Sequence, residues 1–280
     1  MCARNALAAC SAVSVVLWLA GNASAPAASI DVNFDDGTTG ALNAQVNVSS
    51  RPLTTAVTSD VHAPPVSGQA WYALSAYGSP GQDKAVIDTA QSFSSVVVSD
   101  VVTLYGTGYS GGGGGVVAGM PAAGGSGYLL YLAQTWSNGG GAWWDSTVGG
   151  TWQLVLVKML AGSATPLAAG DVYQAVQVAG VTQGLPDFVQ LSVNGNAITG
   201  QVWVGQTSVA GAQTATVSLT DASPLSGYAG AFLAGRNLQC PYTTNYGVAS
   251  VDNFTAAVAP EPATLALLAL GGLLIRRRSR

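Results

Sequence analysis

The sequence predicts an all-β protein, a two-layer antiparallel β-sandwich of jelly-roll type. Three observations carry that prediction. The apolar tracts between the two chain ends are short, β-branched and bounded by glycine, proline, asparagine or aspartate, which is the punctuation of strands. No long amphipathic helix interrupts them. Ten or more such tracts are separated by glycine-rich turns, and the region holding them is long enough for one domain with a substantial core.

Taken in chain order, the first expected strand covers residues 29–34 and the next three cover 70–76, 94–104 and 128–133. The clearest strands lie in the second half. Residues 152–159 and 172–178 are apolar tracts of strand length. Residues 188–193 alternate, placing Val189, Leu191 and Val193 on one face and Gln190 and Ser192 on the other. Asn194-Gly195 follows, a strong two-residue hairpin signal, and 197–204 returns. Residues 214–219, 228–233 and 250–255 complete the set. Two stretches fit no strand. Residues 106–127 contain five consecutive glycines, 111–115, and are expected to be a mobile loop with little to bury. No Gly-Lys-Ser/Thr follows them, so they are not a phosphate-binding loop. Residues 139–150 are also glycine-rich but carry Trp143 and Trp144.

The two ends are of another kind. Arg4, an apolar run over 6–20 and small residues over 23–28 have the composition of a secretory signal peptide, residues 1–28, with cleavage expected between Ala23 and Ala28. Cys10 follows Leu7-Ala8-Ala9 in the manner of a lipoprotein box, but most of the apolar region comes after it, which argues against that reading. At the other end stand Pro260-Glu261-Pro262, an uncharged run over 264–275, and Arg276, Arg277, Arg278 and Arg280. Glu261 is the only glutamate in the chain. The prolines hold the motif extended, and the arginines keep their end of the run in the cytoplasm. As a helix the run spans about 18 Å, short against a hydrocarbon core of about 30 Å. A marginal anchor suits a segment that is held briefly and cut; an ordinary C-terminal anchor is the competing reading.

This tripartite tail, residues 258–280, resembles the PEP-CTERM sorting signal of Gram-negative bacteria. The resemblance implies export through the inner membrane, transient residence there by a C-terminal hydrophobic helix, cleavage near the motif by an exosortase as processing partner, and a destination in the cell envelope or extracellular matrix, among exopolysaccharide. The sandwich domain is then residues 29–257, flanked by the signal helix and the C-terminal helix. A second resemblance rests on Phe34-Asp35-Asp36-Gly37, the Asn194-Gly195 hairpin, Gly227-Tyr228-Ala229-Gly230 and Val251-Asp252-Asn253-Phe254. That order is similar to concanavalin-like and laminin-G-like jelly rolls and to sandwich-type carbohydrate-binding modules. In such folds the first and last strands often lie side by side, which would bring Asp35 or Asp36 towards Asp252 and Asn253.

Several chemistries are disfavoured. Between the terminal signals only Arg51, Lys84, Lys158 and Arg236 are cationic, against twelve aspartates, so nucleic acid is not an expected partner. Cys240 is the only cysteine after residue 28, so no intramolecular disulfide is possible there. Glycosidases usually need two carboxylates, and the glutamate pair of the jelly-roll glucanases that this fold resembles has no counterpart. His62 is the only histidine; it lies in a loop-like segment, and no nucleophile elbow accompanies it. His62 and Cys240 are too few for zinc.

The expected function is therefore not enzymatic, with a glycoside hydrolase or lyase as the last alternative. No cofactor is required, but calcium is a candidate structural ion, because Asp35, Asp36, Asp252 and Asn253 offer oxygen ligands if the chain ends pair; caps of ordinary turns are the competing reading. The other alternative is a carbohydrate-binding module using Trp143 and Trp144, whose flat rings suit polysaccharide, against the competing reading that they fold back onto the sandwich. Trp152 and Trp203 are expected in the core.

Overall fold

The structure, a computed structural model, describes residues 29–47, 53, 55–60, 63–74, 81–105, 110–121, 126–134, 152–159, 172–237 and 247–259. Among these residues all regular structure is β. The strands in chain order are β1 (Ser29–Val32), β2 (Val46–Asn47), β3 (Thr55–Thr58), β4 (Ala70–Leu74), β5 (Gly81–Phe93), β6 (Val96–Leu104), β7 (Ser110–Met120) and β8 (Gly127–Gln134). They continue with β9 (Trp152–Met159), β10 (Val172–Val178), β11 (Pro186–Asn194), β12 (Ala197–Val204), β13 (Ala215–Thr220), β14 (Gly227–Asn237) and β15 (Gly247–Val258). The expected signal helix and C-terminal helix lie outside the described residues, and no helix among the described ones is long and apolar enough to cross a membrane.

The strands form two antiparallel sheets packed as a sandwich. The larger has eight strands in the order β13-β12-β11-β6-β15-β4-β3, with β1 also pairing β15. The smaller has seven, β10-β9-β8-β7-β14-β5-β2. β15 is paired by β4 over its first half and by β1 over its second, so the two ends of the domain lie side by side as expected. Alternation decides which residues meet between the layers. From the larger sheet Val98, Val102, Val189 and Leu191 face inward; from the smaller, Leu130 and Leu156 meet them. Trp152 packs against this core as expected.

The glycine run is not a loop. Residues 110–120 form β7, a central strand between β8 and β14. Small residues are what this position requires. A Cβ on Gly114 would come within 2.7 Å of Val102 Cγ1 from the opposing sheet. Gly115 occupies the middle of a cross-strand row, Val155–Tyr131–Gly115–Phe232–Val86, on the other face of the smaller sheet. That row belongs to a second buried apolar cluster, with Leu129, Val117 and Val157 in the row beside it. β5 is likewise absent from the sequence expectation. Its polar letters conceal inward Ala85 and Ile87, and its Asp88 is buried with Asn43 donating to its carboxylate at 2.9 Å.

Candidate functional site

Two regions bear on function: the junction of the chain ends and the outer face of the larger sheet. At the junction, Phe34 (φ 59°) and Asn253 (φ 50°) turn the backbone through the left-handed region, and β15 carries a bulge between Asp252 and Thr255. Segment 66–69 passes between two of the expected carboxylates. Asp252 Oδ2 accepts from the N–H of Val66 at 2.9 Å and of Ser67 at 3.4 Å, and its Oδ1 from the N–H of Asn253 at 2.7 Å. Asp35 accepts from the Ser67 hydroxyl at 3.2 Å, the Gln69 N–H at 3.2 Å and the Asn33 amide at 3.1 Å. Ser67 thus ties the first strand's turn to the last strand. Burial raises the Asp252 carboxyl above its ordinary range, against the pull of its N–H donors and with a contribution from Asp35.

Asp36 stands apart. It is exposed and caps its own turn, accepting from Thr38 N–H at 2.9 Å and Thr38 hydroxyl at 2.7 Å, bonds that hold its carboxyl below the usual range. Among the described residues no three His, Cys, Asp or Glu side chains come together. Calcium at this junction would have to share oxygens of Asp35 and Asp252 that already accept hydrogen bonds, and Asp36 would have to leave its turn.

The outer face of the larger sheet follows from the same alternation that buries Val189 and Leu191. One row of directly paired residues crosses six strands: Asp31, Thr255, Ser99, Gln190, Gln201 and Thr216. The next row is Ser29, Ala257, Val97, Ser192, Thr199 and Ser218. Asp31 is the only formally charged residue of the twelve. At a strand spacing of about 4.8 Å the rows extend roughly 24 Å. Gln190, Gln201, Ser192 and Thr199 are half-buried, while Thr216 and Ser218 are exposed. The hydroxyls of Ser99 and Thr255 lie 2.8 Å apart. At the β1 end the first row opens into a depression lined by Asp31, Asn33, Asn253 and Thr255, so the face runs continuously into the junction.

An apolar border closes the other side. Val101, Phe188 and Trp203 form the third row, with the Phe188 and Trp203 rings 5.6 Å apart and tilted by 56°. Trp203, expected in the core, is buried in this outer cluster instead, and its Nε1 finds no hydrogen-bond partner among the described residues.

Two further buried acids, Asp100 and Asp187, lie on the inner side of the sheet. Asp100 pairs with Val189 and points inward; neither of its oxygens has a partner among the described residues, and burial drives its carboxyl well above the ordinary range. Asp187 also points inward, where burial pushes it up to about 7 although Gly205 N–H donates to it at 2.9 Å. The sequence signal for the polar face was the alternation over 188–193; nothing local marked Ser99, Gln201 or Thr255 as its partners. Trp143, Trp144, His62, Cys240, Pro260, Glu261, Pro262, Arg276, Arg277, Arg278 and Arg280 lie outside the described residues.

Residues 258–280 match the PEP-CTERM protein-sorting motif. No curated protein sequence matches the chain. Solved structures similar in shape include lectin II from Ulex europaeus, at TM-score 0.49 and 10% identity, covering 83% of this chain and 99% of that one. The exoplasmic/lumenal domain of VIP36, in a Ca2+/Man2-bound form, gives TM-score 0.48 and 12% identity, over 84% and 90%. The carbohydrate-binding module CBM66 from Bacillus subtilis gives 0.42 and 13%, over 77% and 96%. The chain therefore carries a sorting signal of the kind that marks proteins for export and exosortase processing, on an all-β sandwich.

Proposed function

We propose that this chain is a non-catalytic, exported protein whose larger sheet presents a polar face, with Asp31 as its one formal charge, to neutral polysaccharide outside the cell. The observation that carries the reading is the row Asp31–Thr255–Ser99–Gln190–Gln201–Thr216. Amides and hydroxyls each donate and accept, so a grid of them matches a surface of sugar hydroxyls in more than one register. The scarcity of cations on this face favours a neutral glycan over an acidic one. The inward Asp100 and Asp187 are separated from the face by the sheet itself, which favours binding over hydrolysis. Exopolysaccharide is the class of partner that an envelope destination supplies.

The test is affinity electrophoresis of the secreted protein through gels containing dextran, soluble cellulose or alginate. Retardation by a neutral polymer, weakened about tenfold or more in Gln190→Ala/Gln201→Ala, is expected for the loss of two side-chain hydrogen-bonding groups worth about 1 kcal/mol each. No retardation by any neutral polymer, or retardation unchanged in that variant but lost in Trp143→Ala/Trp144→Ala, overturns the assignment of the face.

A further inference from the structure

We propose that Lys158 and Asp221 become joined by an amide bond, a covalent staple between the two sheets. The inference is independent of the polysaccharide reading and rests on a side-chain cluster between the two sheets, beside the end of β13. Lys158 continues the inward register of Leu154 and Leu156 on β9. Its directly paired neighbour on β8 is Tyr128, also inward and fully buried. Asp221 comes from the other sheet, as the residue after β13, and its N–H donates to Asn196 O at 2.9 Å, which fixes its backbone.

The side chains converge on a single carboxyl group. Lys158 Nζ lies 2.5 Å from Asp221 Oδ2, with the two side chains 12% and 8% exposed. Tyr128 donates its hydroxyl to the same Oδ2. Ser223 N–H donates to the other oxygen, Oδ1, at 3.0 Å. Leu225 N–H donates to the Tyr128 oxygen at 3.0 Å, and Nζ also donates to Ser223 O at 3.3 Å. An amine that can attack once it has lost a proton, a carboxyl group to receive it, a backbone donor on the oxygen that would take up charge and a hydroxyl on the oxygen that would leave are thus assembled in one place.

The step balances without an oxidant or any co-reactant. Burial opposes ionisation of Asp221, but Lys158, Tyr128 and Ser223 hold its carboxyl below the usual range, so it meets Lys158 as a carboxylate in an ion pair. A proton passes from Nζ to Oδ2. The freed lone pair attacks Cγ, and negative charge gathers on Oδ1 against the Ser223 N–H. The Cγ–Oδ2 bond then breaks. Oδ2 departs as water with a second proton, which Tyr128 delivers while taking its replacement from the nitrogen. One N–C bond forms, one C–O bond breaks, and one water leaves. Such a bond joins β9 to the end of β13, which share no backbone ladder, in a domain whose single cysteine forbids an internal disulfide.

Intact-mass measurement of the purified full-length chain, followed by peptide mapping with tandem mass spectrometry, tests this directly. The expected result is a mass lower by about 18 Da, one water, and a branched peptide linking Lys158 to Asp221. Lys158→Arg restores the full mass, and Tyr128→Phe leaves the bond unmade or slows its appearance. The map of the unaltered chain suffices if those variants fail to fold. Full mass with residues 158 and 221 recovered on separate linear peptides overturns the proposal, as does loss of water mapped elsewhere.

Discussion

The rings of Tyr131 and Phe232 meet over Gly115, their centroids 6.2 Å apart and their planes at 54°. Gly115 is the direct cross-strand partner of both, on β8 and β14. The absent side chain leaves room for two aromatic ones to close above the backbone, so a residue that contributes nothing itself permits the packing of the row. Substitution here is expected to cost on two counts. A Cβ would run into the carbonyl of Leu130 and crowd the Cα of Tyr131, and a larger group would add volume to a row that is already buried. Gly115→Val should therefore lower the unfolding free energy by about 1–3 kcal/mol, as overpacking does. Urea denaturation followed by tryptophan fluorescence measures it; an unchanged midpoint would show that β7 is not confined as described.

A second prediction concerns pH. Asp100 and Asp187 are acids whose folded-state values are raised by burial, Asp187 to about 7. In the unfolded chain both ionise near the ordinary aspartate value, about 4. Above that pH the unfolded state gains a charge that the folded state resists, so stability falls as pH rises. For Asp187 the fall continues to about pH 7 and then levels. The limiting slope is about 1.4 kcal/mol per pH unit for each group. The protein should thus be more stable at pH 5 than at pH 7, and Asp187→Asn, whose amide oxygen can still accept from Gly205, should flatten that difference. Denaturation midpoints across the range check the sign; stability rising from pH 5 to 7 would contradict it.

These two cases show what could and could not be read from the sequence. Residues 188–204 were legible because alternation and Asn194-Gly195 act within a few residues, and the structure places β11 and β12 as a hairpin in that register. The pairing of β1 with β15 was what the resemblance to concanavalin-like and laminin-G-like jelly rolls implied, and the structure has it. β7 was not legible, because its reason for being a strand lies in Tyr131, Phe232 and Val102, all distant in sequence; five glycines on their own predict only freedom. Lys158 and Asp221 were equally hidden, since their meeting depends on the stacking of two sheets. Trp203 was placed in the core by its strand pattern, yet a strand has two faces, and only the pairing of Val202 with Val189 shows that Trp203 takes the outer one.

The chain-end junction supports a third prediction. Ser67 links Asp35 to Asp252 through its hydroxyl and its N–H. If hydrogen bonds alone hold the junction, EDTA leaves the melting temperature unchanged, while Ser67→Ala lowers stability by about 1 kcal/mol through the lost bond to Asp35. Differential scanning fluorimetry with and without EDTA and added calcium separates the cases. A melting temperature that falls on chelation and recovers with calcium would instead place that ion among Asp35, Asp252 and Asn253.

The sorting motif yields the last prediction. Glu261 stands between two prolines at the boundary between the sandwich, whose last strand ends at Val258, and the apolar run that follows. Proline fixes its own φ, lacks the N–H that a ladder needs and disfavours helix in the residue before it, so the sequence Pro260-Glu261-Pro262 is an expected stop to β-structure and a candidate recognition element. Arginines resist translocation, so if those beyond the run act as the stop signal they would hold the motif near the membrane until it is cut. In a host that contains an exosortase, the exported protein should lack Arg276 to Arg280, and Glu261→Ala should slow or abolish their removal. Replacing the same four arginines with serine should release uncleaved chain, because the stop signal is gone while the motif remains. Mass spectrometry of the exported protein reads both outcomes. Recovery of the arginines at full occupancy in the presence of the enzyme would mean that the tail serves as a lasting anchor.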